Sequence, residues 1–375
     1  MTTAADPTEA WIAADLYDPS SPNSAERLEL LRWISSLGIS IDQMVAAKAS
    51  GALRSLPGDM ALRPGPRRSL REIATIIGTT VESLNDIRRA SGFAPVDPDE
   101  VAFTPGDIEM FRGFNNAAAI FSRDELLHFS RVLGTSLRRI ADAAGEMFLL
   151  DVEAPLVSEP ATGELELAHK IHDAVLMVES AIAVFEPMFR AHLEQSLQAT
   201  RRARGDSTDY STIPLAIGFV DLTGFTSQTE QLSPGEVLDL VLTFEARACD
   251  LVADHGGRVV KLIGDEVMFT AVDAEAACVI ALGLLAEVGA DNAPNARGGL
   301  AYGSVIAHGG DLYGETVNRA SRLADIAVPG EVLVDGEVVG RADERHFQPA
   351  GRRQLKGFRE PVALWSLTAE ATGEL

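Results

Sequence analysis

The sequence has few cysteines, a shortage of basic residues and no long uncharged apolar run. Its two cysteines, Cys249 and Cys278, are too few for a disulfide framework or a four-cysteine zinc site. Lysine and arginine total 32 against 55 acidic residues, and the net charge of −23 disfavours a broad nucleic-acid-binding surface because it repels phosphate backbones. No stretch of about 18 uncharged apolar residues exists, and residues 1–10 lack the basic and apolar regions of a secretory signal. These absences predict a cytoplasmic protein that does not enter a membrane.

The remaining composition is that of a folded protein with more than one part. Hydrophobic residues make up 46% and charged residues 23% of the chain, which excludes a wholly disordered protein. A length of 375 residues favours two domains. Because the hydrophobic pattern changes near residue 213, we expect an all-α domain at 1–163, a helical linker or switch at 164–212 and an α+β domain at 213–375.

Apolar residues three and four apart indicate successive helices in the first half. The predicted helices are Leu28–Leu37, Leu70–Ile77, Val81–Arg89, Glu125–Leu133 and Leu137–Leu150. The stretch Glu164–Arg204 continues this pattern as a longer helical segment. We expect Pro187 to kink or split that segment, because proline removes a backbone donor and clashes with the preceding turn.

The second half alternates between strand and helix patterns, which predicts helices packed on a sheet. The predicted strands are Leu215–Val220, Arg258–Leu262, Glu266–Thr270, Gly299–His308, Val332–Val334 and Val362–Leu367. The predicted helices are Pro234–Asp254, Ala274–Val288 and Thr316–Ile326.

Two aspartates stand at the ends of predicted strands. Asp221 ends the first strand and precedes a Thr-Gly turn, and Asp265 lies at the tip of a predicted hairpin. If the two carboxylates are neighbours, they repel each other unless a cation lies between them, so the pair predicts a magnesium site. The alternative interpretations are a turn cap for Asp221 and a simple Gly-Asp hairpin turn for Asp265.

Cationic and amide side chains form a second group of candidates. Lys261 lies in an apolar strand, where it must find an acceptor or extend past its neighbours to solvent. Asn318 and Arg322 are four residues apart on a predicted helix and therefore share one face. An amide and a guanidinium on one face suit a phosphorane-like anionic transition state, although an ordinary surface helix has the same spacing. Lys356 offers a loop amine to phosphate oxygens.

Four segments in this order resemble the motifs of class III nucleotidyl cyclases: Phe219–Phe225, Lys261–Phe269, Asp311–Arg322 and Gln354–Gly357. The resemblance covers residues 213–367. It implies a ferredoxin-like βααββαβ core that dimerises head to tail, with two active sites formed across the interface. No catalytic position departs from the family pattern, which implies an active enzyme rather than an inactive relative.

The resemblance further implies which residues bind metal and phosphate. Asp221 and Asp265 would bind two Mg²⁺ or Mn²⁺ ions per active site, with help from the Leu222 carbonyl. The residues implied to contact the phosphates of the substrate are Thr223, Gly224, Phe225, Thr226 and Lys356.

The resemblance also implies an adenylate cyclase, which forms 3′,5′-cyclic AMP and pyrophosphate from ATP. Lys261 and Asp311 would recognise adenine, because the lysine donates to ring N1 and the aspartate accepts from the 6-amino group. Guanine has a carbonyl at that position, which the aspartate would repel. Asn318 would orient the ribose and Arg322 would stabilise charge on the α-phosphate. These groups would come from one chain of the homodimer and the metal ligands from the other.

The first half permits a different interpretation. Ala74, Gly78, Leu84 and Ile87 have the spacing of a helix-turn-helix, and nearby arginines make the region locally basic. The alternative function is therefore a DNA-binding regulator with a nucleotide-binding, cyclase-like second half. The same spacing also fits an ordinary αα-hairpin, and the net negative charge disfavours DNA.

The layout of the whole chain resembles actinobacterial adenylate cyclases with a helical N-terminal regulatory domain, including the pH-responsive kind. This resemblance implies autoinhibition and pH sensing through the segment 164–212. His192 is the regulatory candidate, because an imidazole packed beside Phe189 and Leu193 would resist protonation. His169 and His172 are the fallback candidates.

Overall fold

The computed structural model describes residues 7–158, 163–223, 232–288, 296–342 and 347–368. The chain forms two compact units, Met1–Arg190 and Ala191–Leu375. Among the helices of the described residues, none is both long and apolar enough to cross a membrane.

The first unit is built almost entirely of helices. Its helices, with the last one continuing into the second unit, are α1 (Thr8–Ala13), α2 (Ser24–Ser36), α3 (Ile41–Ala49), α4 (Leu56–Ala61), α5 (Leu70–Ile77), α6 (Val81–Ala90), α7 (Pro105–Ala117), α8 (Arg123–Met147), α9 (Ala154–Ser158), α10 (Glu164–Leu176) and α11 (Val178–Arg204). A two-stranded antiparallel ribbon, β1 (Arg68–Ser69) with β2 (Val101–Phe103), accompanies them. A π-helical segment, Phe148–Glu153, joins α8 to α9.

The α5–α6 hairpin shows how local sequence determines these helices. Ser69 accepts from the Glu72 N–H and Glu72 caps the Ser69 N–H in return, which starts α5. Gly78 ends α5 with φ +77°, a left-handed conformation that favours glycine. Thr80 then caps α6. The predicted helices at 70–77 and 81–89 are therefore confirmed.

Two predictions for the first half are wrong in detail. The helices expected at 125–133 and 137–150 are one continuous helix, α8, with its last three residues in the π-helical segment. Gly134 does not interrupt α8 and instead allows close packing, since a Cβ there would lie 2.4 Å from the Ser91 carbonyl oxygen. The long segment after residue 164 does not split at Pro187, which lies inside α11. The break is at Met177, whose N–H reaches the carbonyls of both Asp173 and Ala174.

The expected packing of His192 is also wrong for this structure. His192 is exposed, and so are Phe189 (58%) and Leu193 (46%) on the same helix. The described residues therefore form no apolar pocket around the His192 side chain.

The second unit places helices on a mixed sheet. Its elements after α11 are β3 (Ile213–Leu222), α12 (Pro234–Asp254), β4 (Arg258–Ile263), β5 (Glu266–Ala271), α13 (Ala274–Val288), β6 (Ala296–His308), β7 (Asp311–Tyr313), α14 (Glu315–Ile326), β8 (Val332–Asp335), α15 (Gly336–Val339), β9 (Phe347–Arg353) and β10 (Val362–Leu367). The strand order is β4-β5-β3-β6-β8-β10-β9, and β7 pairs with β6.

The central four strands have the expected topology. They alternate with helices as β3-α12-β4-β5-α13-β6, and β3 lies antiparallel between β5 and β6. Between β3 and β4 the described residues show one helix, α12, where the expected βααββαβ order has two. Residues 224–231 lie outside the described residues. Buried residues such as Val220, Phe269 and Leu300 form the core between the sheet and its helices.

The sequence missed the edge strand β9. Pro349 and Gly351 lie within it, and these residues are typical of turns. Proline is tolerated at a sheet edge because an edge strand has unpaired donors, and β9 is the last strand of the order. The neighbouring prediction for β10, 362–367, is confirmed.

Candidate active site

Asp221 lies in the middle of a charged row that crosses three strands. In the sheet register it stands opposite Glu266 of β5 and Arg297 of β6. Nε and Nη2 of Arg297 donate to Asp221 Oδ2 at 3.2 and 3.0 Å. Nη1 of Arg297 donates to the Asp325 carbonyl at 2.9 Å, which links the strand to the end of α14. Both hydrogen bonds to Asp221 use Oδ2, so Oδ1 faces no donor among the described residues.

The structure brings Asp265 to Asp221. Gly264 takes φ +65° at the hairpin tip, and the Leu222 N–H donates to the Asp265 carbonyl at 3.1 Å. Burial raises the pKa of Asp265, and the charge of Asp221 adds to the rise, while the Asp265 backbone N–H and Arg297 partly offset it. The two aspartates therefore repel each other, as expected for neighbouring carboxylates.

Glu266 adds a third carboxylate to the same place. Burial raises its pKa to about 7, and the charges of Asp221 and Asp325 contribute further. The described residues nevertheless contain no group of three or more His, Cys, Asp and Glu side chains arranged to hold a metal ion. The candidate metal site thus consists of Asp221, Asp265 and the Leu222 carbonyl. This oxygen-only donor set suits a hard divalent cation, which would relieve the crowding of negative charge.

The phosphate-binding segment is only partly visible. Thr223 forms a turn directly after β3. The predicted contacts at Gly224, Phe225 and Thr226 lie outside the described residues.

Lys261 and Asp311 form an ion pair with Nζ 2.7 Å from Oδ2. A β-bulge between Val259 and Lys261 shifts the alternation of β4 just before the lysine, and bulges commonly reorient a side chain beside a site. Asp311 begins β7, and its Oδ1 accepts the Leu312 N–H at 2.8 Å. Burial opposes ionisation of Asp311, but the hydrogen bonds from Lys261 and Leu312 lower its pKa. The Asp311 carboxylate therefore favours its ionised form beside the Lys261 amine.

Asn318 and Arg322 lie on α14, which packs directly on β6. Gly299 makes this possible, because a Cβ there would lie 2.3 Å from the Ala324 nitrogen. The helix buries Ala320 and its neighbours, while Asn318 is exposed. Arg322 pairs with Asp325 at 2.7 Å and remains 40% exposed. The side chains predicted to meet the substrate thus lie away from the core.

Lys356 lies in a tight turn. The Phe358 N–H donates to the Leu355 carbonyl at 3.1 Å, and Gly357 takes φ +92°. Leu355 is buried and Lys356 is exposed. In the described part of one chain, no hydrogen bond joins Asn318 or Lys356 to either aspartate, so the chain does not assemble all predicted groups into one bonded cluster.

Sequence reasoning missed Arg297 and Glu266. Arg297 precedes the predicted strand by two residues, and the sequence identifies Glu266 only as the start of a predicted strand. Their proximity to Asp221 depends on the register between antiparallel strands, which hydrophobic alternation alone does not determine.

The α5–α6 hairpin gives little support to DNA binding. Its arginines have acidic or aromatic partners: Arg68 with Glu72, Arg71 with Asp99, Arg88 with Phe103 and Arg89 with Asp86. Pairing of this kind reduces the positive field that a phosphate backbone would meet. The hairpin is therefore better explained as part of the helical core of the first unit.

Comparison with known proteins separates the same two regions. Residues 16–199 match the family model of the adenylate cyclase regulatory domain, and residues 208–369 match that of the adenylate and guanylate cyclase catalytic domain. An adenylate cyclase of Streptomyces coelicolor is 34% identical over 70% of this chain and 68% of its own length. A pH-sensitive adenylate cyclase of Mycobacterium tuberculosis is 30% identical over 95% of this chain and 91% of its own.

Among solved structures, the adenylyl cyclase CyaB from P. aeruginosa is similar, at 22% identity over 43% of this chain and 97% of that one, with a TM-score of 0.39. The two family models together span nearly the whole sequence, in the order regulatory then catalytic. The chain therefore belongs to the class III adenylate cyclase family, with a regulatory domain ahead of a cyclase catalytic domain.

Proposed function

We propose that this protein converts ATP to 3′,5′-cyclic AMP and pyrophosphate in active sites shared by two chains. The observation that carries the substrate assignment is the Lys261–Asp311 pair, whose charged groups lie 2.7 Å apart. A lysine donor beside a carboxylate acceptor matches ring N1 and the 6-amino group of adenine. The 6-carbonyl of guanine would face the carboxylate instead, so GTP is disfavoured.

The crowded carboxylates support a site for two Mg²⁺ or Mn²⁺ ions. Asp221, Asp265 and the Leu222 carbonyl would hold the ions, and Asp221 Oδ1 is available while Arg297 holds Oδ2. When bound, such ions neutralise phosphate charge and make the ribose 3′-hydroxyl more acidic. Arg297 and Thr223 lie beside this place and would add a cation and turn donors for the triphosphate.

The reaction joins the ribose 3′-oxygen to the α-phosphorus as the bond to pyrophosphate breaks. Asn318 would orient the ribose by hydrogen bonding, and Arg322 would exchange its contact with Asp325 for one with the α-phosphate oxygens. Lys356 would bind the departing phosphates. Most of the acceleration would come from positioning and electrostatic stabilisation, because phosphoryl transfer leaves the protein little covalent chemistry.

A homodimer would bring the separated groups together. The described part of one chain does not hydrogen-bond Asn318, Arg322 or Lys356 to the aspartates, so a second chain is the natural source of the missing half of each site. One chain would supply Asp221 and Asp265 to a site, and its partner the remaining groups.

The first 163 residues would control this activity through the segment 164–212. The match of residues 16–199 to a regulatory domain supports control by this region, and the pH-sensitive relative supports a response to acid. This three-part division and the autoinhibitory direction of control remain predictions. His192 remains a candidate regulatory residue, although it is exposed rather than packed beside Phe189 and Leu193.

The proposed function is tested by incubating the purified full chain with Mn²⁺ or Mg²⁺ and either ATP or GTP. We expect cyclic AMP and pyrophosphate in equal amounts from ATP, little product from GTP and no product after metal chelation. Equal turnover of ATP and GTP would refute the role of the Lys261–Asp311 pair, and the absence of cyclic AMP would refute the proposed activity.

A further inference from the structure

Arg319 lies between two predicted substrate contacts and has no role in the proposed reaction. It follows Asn318 on α14 and precedes Arg322 by three residues. Its Nη1 lies 3.0 Å from Asp335 Oδ2, and its Nη2 lies 2.5 Å from Glu315 Oε1. The side chain is only 23% exposed, so the guanidinium points into the protein rather than toward a substrate.

Asp335 is a buried and well-anchored partner for the Arg319 guanidinium. It lies on β8 with its side chain 1% exposed, and its Oδ1 accepts the Val338 N–H at 3.1 Å. A planar guanidinium held by two carboxylates has less freedom than an ammonium, because its forked donors fix both direction and rotation. Arg319 therefore fastens α14 to the neighbouring strand.

The same guanidinium faces the turn that carries Lys356. Arg319 Cζ lies 5.6 Å from the ring centroid of Phe358, within the range of a cation–π contact. Phe358 packs against a cluster that includes Leu323 of α14 and Leu355. Arg319 thus contacts β8, the first turn of α14 and the ring of Phe358.

We propose that Arg319 is a positioning residue that holds Asn318 and Arg322 in a fixed relation to Lys356. The inference rests on the proposed function, because it assigns a purpose to keeping those three side chains in one arrangement. Arg319 itself does not contact the substrate. Its effect on the reaction is exerted through the orientation of α14 and the placement of the 355–358 turn.

Two substitutions test this role without leaving a buried charge unpaired. Arg319→Lys keeps a cation for Asp335 but loses the fork and the planar face toward Phe358. Phe358→Leu keeps apolar packing against Leu323 and removes the aromatic ring. Arg341→Lys is a matched control, since Arg341 pairs with Glu337 at 2.5 Å and its Cζ lies 4.4 Å from the Tyr302 ring.

Three readouts are needed: kcat and KM for ATP, hydrogen exchange of the Phe358 amide, and thermal unfolding. We expect both test variants to lower kcat by about tenfold with little change in KM, because a small misplacement of catalytic groups has effects of this order or greater. We also expect faster hydrogen exchange of the backbone amide at position 358, whose N–H donates to the Leu355 carbonyl. Arg341→Lys should leave kcat and exchange at that amide unchanged.

The double variant Arg319→Lys with Phe358→Leu should lower kcat by less than the product of the two single effects. The effects are not independent, because the two substitutions break one contact from its two sides. Folded variants with wild-type kcat and exchange would overturn the proposal, as would a lower kcat with unchanged exchange at the turn. A wild-type chain that forms no cyclic AMP would instead overturn the proposed function, and the positioning role would fall with it. The exchange data would then still show whether Arg319 anchors the turn.

Discussion

Helices α11 and α14 both carry predicted functional residues, but they differ in how much of their surface is buried. Helix α14 buries Ala320, Leu323 and other residues against the sheet, so the opposite side chains have defined directions. Helix α11 has exposed side chains at every position from 182 to 199. Residue spacing therefore predicts side-chain direction best where one face of a helix is fixed by a packed core.

The exposed surface of α11 explains why the predicted packing of His192 beside Phe189 and Leu193 is wrong. Apolar residues recur at helical spacing there, including Ile182, Phe185 and Leu197, which are 57%, 42% and 46% exposed. Such a stripe normally indicates burial. Among the described residues these side chains are exposed, so helical spacing alone did not predict their burial.

Gly299 and Gly145 offer the strongest contrast between the two units. Gly299→Ala should lower the free energy of unfolding by about 3 kcal/mol, because its Cβ would meet backbone atoms of α14. Gly145→Ala in α8 has open space and should raise stability by about 0.5–1 kcal/mol. Denaturant unfolding of both variants measures the difference. Similar effects at the two sites would refute the close contact between β6 and α14.

Lys261 and Lys170 are both paired lysines, one in each unit. Lys261→Ala should reduce kcat/KM for ATP by about 10- to 100-fold, the effect of losing a hydrogen bond and leaving Asp311 unpaired. It should also reduce the preference for ATP over GTP. Lys170→Ala breaks a 3.0 Å pair with Glu166 on α10 and should change neither quantity. Steady-state kinetics with both nucleotides decide, and an unchanged preference in Lys261→Ala would contradict the proposed adenine contact.

Removing residues 1–190 should change cyclic AMP formation less than Lys261→Ala does. A chain that begins at Ala191 keeps Ala203, which packs against the core of the catalytic unit. We expect several-fold higher activity at neutral pH and a weaker dependence on pH, because the proposed inhibitor is gone. Cyclic AMP formation between about pH 5.5 and 8 measures this. Superimposable pH profiles of the short and full chains would contradict control by the first half.

His192→Ala should have the smallest effect. An exposed side chain contributes little to stability, and we expect the ratio of activities at pH 6 and pH 8 to change by less than about twofold. The full-length variant is compared with wild type in the same assay. A pronounced flattening of the profile would contradict this expectation and assign the pH response to His192.

The sequence predicted most of the catalytic unit because its strands are buried and its helices have clear starts. The expected boundaries 234–254 and 274–288 are those of α12 and α13. Prediction from sequence failed where a residue type has two structural roles. Glycine can end a helix or permit close packing, and Gly134 permits close packing inside α8. The Arg297–Asp221 pair depends on strand register. The Arg319–Asp335 pair depends on how α14 folds back on the strand that follows it, 16 residues further along the chain. Neither relation is contained in local spacing.

The proposed shared site is tested most directly by mixing two inactive variants. Asp221→Ala removes a metal ligand and Asn318→Ala removes a ribose contact, and we expect each alone to retain about 1% of wild-type activity or less. Subunit exchange in an equal mixture should give heterodimers in which one site has both defects and the other has none. About one quarter of wild-type activity should return, because half of the dimers then carry one intact site of two. A mixture that stays inactive while heterodimers are shown to form would contradict the shared active site.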